Sequence, residues 1–306
     1  MMTNTFMLGV AYQAGRLPVA GASVEAAIEL NGVAVDRNLQ AFRYGRLYQH
    51  DFAATRELLG APQRSYPEER ARYVARLNGD GRLYEELLDR TEGLDTRLRR
   101  MLAIRVGELI QYQNAAYAGR YLDAVLAVHS REQEVLPGRD DLTEAAVRHL
   151  YKLMAYKDEY EVARLLLKGE WAERLRRTFV EPKVRFNLHP PLLRDRGMKG
   201  KLEVGGWFAP FLRLLIPMRR LRGRALDPFG RTEVRRLERE LIGWYEGLLE
   251  EIVSELTPAN HQLAVHLASA PDRIRGYEQI KVRNARAAVE NTNKKRGELR
   301  AAAATR

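Results

Sequence analysis

Cysteine is absent from the 306 residues. This excludes disulfides, thiolate-held iron–sulfur clusters and cysteine-type zinc sites within the chain. Long apolar runs are missing too. The longest, Trp207 to Met218, is interrupted by Pro210, Arg213 and Pro217 and is too short to span a bilayer. The first ten residues carry neither the basic start nor the cleavage site of a signal peptide. The expectation is a cytoplasmic protein with no membrane partner. Phosphate-cradling and nucleophile motifs of the forms GxxxxGK[ST], GxGxxG and GxSxG do not occur. The six histidines, His50, His129, His149, His189, His261 and His266, make no HxH or HxxxH pair, so none has a partner at metal-ligand spacing.

Charge is abundant. Lys and Arg number 51 against 40 Asp and Glu, a formal net charge of +11, and 45% of the chain is hydrophobic. The length and apolar content suffice for one large core or two smaller ones. The excess of positive charge favours an acidic partner: nucleic acid, an anionic surface or an acidic protein such as a ferredoxin.

Hydrophobic periodicity is helical along most of the chain, and the expected class is mainly α, a helical bundle with one small β-hairpin. Residues 1–46 read as three short helices, with Gly32 closing the second as a residue tolerant of positive φ. Ser65 and Glu68 have capping-box spacing ahead of a helix reaching Leu77. Asp95 to about Glu134 reads as continuous helix, ended by Pro137-Gly138. Leu142 to Leu167 reads as a single long helix with Thr143 as N-cap. Trp171 to Phe179 is a further helical run. Lys183 to Leu188 alternates as a strand does, and Lys201 to Val204 is its expected partner. Thr232 is placed to cap a long helix ending at Leu256, and Thr257-Pro258 starts another through Leu267. From Asn284 onward the Ala-, Lys-, Arg- and Asn-rich sequence reads as a disordered tail.

Four clusters could carry chemistry. Gly79-Asp80-Gly81 has the beginning of a thiamine-diphosphate and magnesium motif, but an amphipathic helix precedes it instead of a buried strand, and it reads as a turn. Gly197-Met198-Lys199-Gly200-Lys201 reads as a solvated loop, although its lysines could touch a phosphate. The ionic centre Lys157, Asp158, Glu159 and Glu161 reads as an interhelical salt-bridge face in preference to an acid/base cluster. The basic run from Arg213 to Arg224, continued by Arg231, Arg235, Arg236 and Arg239, reads as arginine at packed contacts, paired with carboxylates. The alternative is an independent basic module that binds nucleic acid. No residue is assigned a catalytic, cofactor-binding or metal-binding role. The candidate interface residues are Tyr156, Lys157, Asp158, Glu159, Arg219, Arg220, Arg222, Arg224 and Asp227.

Several collinear blocks resemble the C-terminal part of the indolepyruvate ferredoxin oxidoreductases, the long fused form of the 2-oxoacid:ferredoxin oxidoreductase family. They are Leu8 to Gln13, Leu17-Pro18, Ala27 to Val35, Asn38, Ala41-Phe42, Gly45-Arg46, Leu150 to Leu165, Pro190 to Leu193, Leu221 to Gly223, Leu226 to Gly230, Arg235 to Ile242, Ile274 to Tyr277 and Lys281 to Arg283. The likeness reaches about residue 290. It implies that 1–46 are the end of a γ-type oxidoreductase domain and 47–283 a helical C-terminal domain with the β element near 183–204, with 284–306 as the tail. For the complete enzyme it implies oxidative decarboxylation of an arylpyruvate to acyl-CoA, with thiamine diphosphate, magnesium, iron–sulfur clusters and ferredoxin. This chain lacks the thiamine motif in its proper context and any cysteine for a cluster, and it begins inside the γ-type domain. The expectation is therefore a noncatalytic segment, a fragment or split-gene product whose partners are the catalytic domains or subunits of the same oxidoreductase.

Overall fold

The computed structural model describes residues 2–59, 64–77, 79–167, 185–188, 202–224, 226–276 and 278–304. It divides into two units, residues 1–65 and 66–306. The boundary falls beyond the expected 46, because the helix begun at Val35 runs on to His50 and a further one follows it.

The first unit holds α1 (Met2–Gln13), α2 (Gly21–Asn31), α3 (Val35–His50) and α4 (Phe52–Leu59). α1 and α3 lie antiparallel with their backbones in direct contact. A Cβ on Gly9 would fall 2.1 Å from the Phe42 carbonyl oxygen, and one on Gly45 would fall 2.0 Å from that of Phe6. Glycine is required at both crossings because any side chain would force the helices apart. The close approach lets a small unit bury Phe42 completely. Nearby, Asn38 accepts from the Thr5 hydroxyl at 2.9 Å and donates to the Val33 carbonyl at 2.8 Å.

The second unit continues with α5 (Tyr66–Arg76), α6 (Gly81–Asp89), α7 (Thr96–Tyr112), α8 (Ala115–Val135), α9 (Asp141–Met154), α10 (Glu159–Leu166), β1 (Arg185–Leu188), β2 (Leu202–Gly205), α11 (Ala209–Met218), α12 (Glu233–Glu255), α13 (His261–Ala268) and α14 (Glu278–Ala304). Successive helices α7, α8 and α9 pack on one another, and α12 returns against α8 and α9. Leu102, Val106, Leu122, Val125, Ala146, Leu150, Leu248 and Ile252 supply the middle of the core. Buried tyrosines tie the layers together. The hydroxyls of Tyr84, Tyr121 and Tyr245 donate to the carbonyls of Ala103, Val147 and Ala268 at 3.1, 2.8 and 2.6 Å, so each polar tip stays satisfied inside the core. β1 and β2 pair antiparallel, Arg185 opposite Gly205 and Leu188 opposite Leu202. A second small cluster joins Ala163 of α10, Val204 of β2 and Leu212 of α11. The class is mainly α with one small β element, as expected.

Three expectations fail. Leu142 to Leu167 is two helices, parted at Ala155–Asp158, with Asp158 as the N-cap of α10: its carboxylate accepts from the Glu161 N–H at 2.8 Å. Asp95 to Glu134 is also two helices, because Asn114 caps α8 by accepting from the Tyr117 N–H at 2.8 Å. The expected tail is instead most of α14. There Ala285, Ala288 and Leu299 are buried, and Glu251 of α12 pairs with Arg296 and with Arg300, the latter at 2.7 Å. Tertiary contacts supply the order that composition alone did not indicate. The helix expected at Trp171 to Phe179 and the loop at Gly197 to Lys201 lie outside the described residues.

Candidate functional site

The break between α9 and α10 is where the charged residues meet. Arg222, from the turn after α11, reaches Asp158 with two nitrogens: Nε to Oδ2 at 2.5 Å and Nη2 to Oδ1 at 3.0 Å. Its Nη1 donates to the Tyr112 carbonyl at 2.6 Å, and the guanidinium lies 3.6 Å from the centre of the Tyr112 ring. Both side chains of this pair are 4% exposed. Burial by itself would lower the Arg222 pKa, but the hydrogen bond and charge of Asp158 outweigh it and the net direction is upward. Arg222 stays a cation, and its forked geometry explains why arginine occupies the position.

Asp227 fastens the same region. Its Oδ1 accepts from the Tyr160 hydroxyl at 2.9 Å and the Phe229 N–H at 3.1 Å, and its Oδ2 from the Gly223 N–H at 2.9 Å. Arg235 of α12 bridges Glu159 at 3.3 Å and Glu238 at 2.6 Å, and Lys281 of α14 also reaches Glu238. Burial raises the Glu159 pKa, and Arg235 opposes that rise only in part. Arg164 clasps Glu161 and Glu108, each at 2.7 Å. Every carboxylate here is engaged by a cation or several donors, and that is the arrangement of a packing device.

Of the candidate interface residues, Tyr156, Asp158, Arg222 and Asp227 are buried, Glu159 is half-buried, and Lys157 is exposed. Arg219, Arg220 and Arg224 do not join the network. They line a hollow of about 270 Å³ with Asp80, Gln113 and Asn114. The expectation that the basic run pairs with carboxylates therefore holds for Arg222 and Arg235 but not for these three. The arginines around Asp80 also suit an anion and not Mg²⁺, so its GDG sequence does not fit a thiamine-diphosphate metal site. Among the described residues no three His, Cys, Asp or Glu side chains are placed to hold a metal ion.

One buried centre had no sequence signal. Glu132 of α8 is fully buried. It accepts from the N–H groups of Leu142 and Thr143 at 2.9 and 2.8 Å, from the Thr143 hydroxyl at 2.6 Å, and lies 2.8 Å from His261 Nε2. Thus Glu132, not Thr143, caps the start of α9, and a carboxylate at a helix N-terminus also meets the positive end of its dipole. Glu132 and His261 are 129 positions apart, a pairing no local pattern reveals.

This geometry defines a helical bundle domain closed by a buried arginine–carboxylate network. The model of a family of unknown function (DUF6537) matches residues 98–294, more than half of the chain, and the chain belongs to that family. The match spans α7 to most of α14, hence nearly the whole network. No curated protein and no solved structure matches the chain.

Proposed function

We propose that this chain is a noncatalytic helical module of an indolepyruvate-type 2-oxoacid:ferredoxin oxidoreductase, docking on the catalytic domains or subunits of that cytoplasmic enzyme. Ferredoxin is a partner of the complete assembly. The reading is supported by the way the blocks that resemble that family converge. Asp158 and Tyr160 from one block meet Arg222 and Asp227 from two others, and Arg235 and Glu238 from a fourth close the ring. These side chains hold one another, leaving none poised to move a proton or attack a substrate, which suits a scaffold.

A scaffold needs a contact surface. Trp207, in the 3-10 turn just before α11, and Phe211 and Leu214 within α11 are large apolar side chains with 69, 57 and 64% of their surface exposed. Large apolar side chains gathered on one face mark a protein contact more often than a solvated surface. Among the described residues no helix is long and apolar enough to cross a membrane.

The test mixes the purified chain with the catalytic subunits of such an enzyme and follows co-elution by size-exclusion chromatography. Association is expected, and Trp207→Ser with Phe211→Ser should weaken it. Thiamine-dependent turnover of indolepyruvate by this chain alone, or failure to associate, would overturn the proposal.

A further inference from the structure

Arg219, Arg220, Arg224 and Arg236, outside the ionic network, share a place. Arg224 lines the hollow with Arg219 and Arg220, and it also lines a second one of about 290 Å³ with Gly223, Asp227, Gly230, Arg231, Arg236 and Arg239. Arg224 thus lines both hollows. Six arginines therefore face two aspartates.

Neither aspartate neutralises them. Asp227 already accepts three hydrogen bonds, from Tyr160, Phe229 and Gly223. Asp80 makes no ion pair among the described residues, and it is one carboxylate against three guanidinium groups in its hollow. Among the described residues Arg219, Arg220, Arg224 and Arg236 have no carboxylate within ion-pair distance, whereas Arg164, Arg222 and Arg235 close by are each paired. Burial first, and then the charges of Arg164, Arg220 and Arg222, hold the Arg219 pKa below its ordinary value, against the opposing charge of Asp80.

Arg239 adds a directional clue. Its Nη2 donates to the Gly230 carbonyl at 2.7 Å, which fixes the plane of the guanidinium. Its Nη1 is buried without a hydrogen-bond partner. A buried charged donor left unpaired is costly, so an acceptor at this position would be strongly favoured. Gly230 is required beside it: a Cβ there would stand 2.5 Å from Asp227 Oδ2 and 3.3 Å from Arg239 Nη1, so any side chain would displace the Asp227 carboxylate. The amides of Gln113 and Asn114 on the rim of the other hollow offer neutral donors.

We infer that the paired hollows around Arg224 form a binding site for a small ligand carrying two neighbouring phosphoryl groups, one on each side of that arginine. Guanidinium groups bind phosphate oxygens in two-pronged fashion, and two adjoining concave hollows match a diphosphate better than the extended stripe that a nucleic-acid backbone needs. The site is separate from the docking surface of the proposed function, so either can fail without the other.

Isothermal titration of the full chain with inorganic pyrophosphate, orthophosphate and a short single-stranded oligonucleotide tests this. One equivalent of pyrophosphate should bind, more tightly than orthophosphate. Arg224→Ala should weaken it about tenfold or more, the loss of roughly one charge-assisted contact. Arg220→Gln and Arg236→Gln alter exposed side chains and give the same answer should Arg224→Ala misfold. Arg82→Gln, at an exposed surface pair, is the control and should change nothing. Pyrophosphate binding lost in the hollow variants supports the site, whether or not the oligonucleotide competes. No pyrophosphate binding by the folded chain, binding indifferent to these variants, or oligonucleotide binding without pyrophosphate binding would each overturn it.

Discussion

Removing either partner of the Asp158–Arg222 pair should damage the second unit about as much as removing both. Asp158→Ala takes away three acceptor contacts, two to Arg222 and one to the Glu161 N–H. The Arg222 guanidinium would stay buried with the Tyr112 carbonyl and two tyrosine rings as its remaining partners. Breaking a buried pair on one side costs about 3–5 kcal/mol, and loss of an N-cap about 1 kcal/mol of that kind. The two losses involve one carboxylate and are not independent, so about 4 kcal/mol is expected. Arg222→Met keeps part of the stem volume and strands Asp158 on a single donor, at about 3 kcal/mol. The double variant removes both buried charges of the pair and should cost no more than Asp158→Ala, leaving a coupling of about 3 kcal/mol. Urea unfolding is the assay. All three tryptophans, Trp171, Trp207 and Trp244, belong to residues 66–306, so their fluorescence reports that unit alone. In thermal unfolding followed by the same fluorescence, about 4 kcal/mol in a unit of this size lowers the midpoint by about 10 °C. Single variants each costing under about 1 kcal/mol and adding without coupling would show a solvated surface pair and refute the packing argument.

Leu299 is fully buried near the end of α14, so Leu299→Ala should cost about 2–4 kcal/mol by the same fluorescence assay; unchanged unfolding would mean the end of the chain does not dock. His149 gives a pH dependence. Burial, followed by the charge of Lys152, holds its folded pKa below the ordinary 6.5, and its Nδ1 is buried without a partner. A depressed pKa means that its contribution to stability is full above pH 6.5 and is lost as pH falls through the folded value. The wild-type midpoint should therefore drop on acidification below 6.5, and His149→Gln should drop less; parallel curves would remove His149 from the account.

Local chemistry was legible in the sequence and distant pairing was not. Gly32 does adopt a φ of 66° as a helix C-cap, and Thr232 does cap α12, because each acts within a few residues of itself. The β pairing was readable from alternation over one short segment. Asn114 and Asp158 do not stand out as breaks because the apolar period runs on across them; a cap is visible only when the pattern stops. α14 is not legible from its own composition because its order comes from Glu251 and the docked Leu299. The basic run shows the limit most clearly. Arg222 and Arg224 stand two apart with the same side chain, yet one is locked to Asp158 and the other opens on the hollows. Gly223 between them has a φ of 73°, and the Arg224 N–H turns back to the Leu221 carbonyl at 2.9 Å. That left-handed turn reverses the chain, so neighbours in sequence enter opposite environments. Residue type announces an anion partner for both; the backbone between them decides that one finds it inside the chain and the other must find it outside.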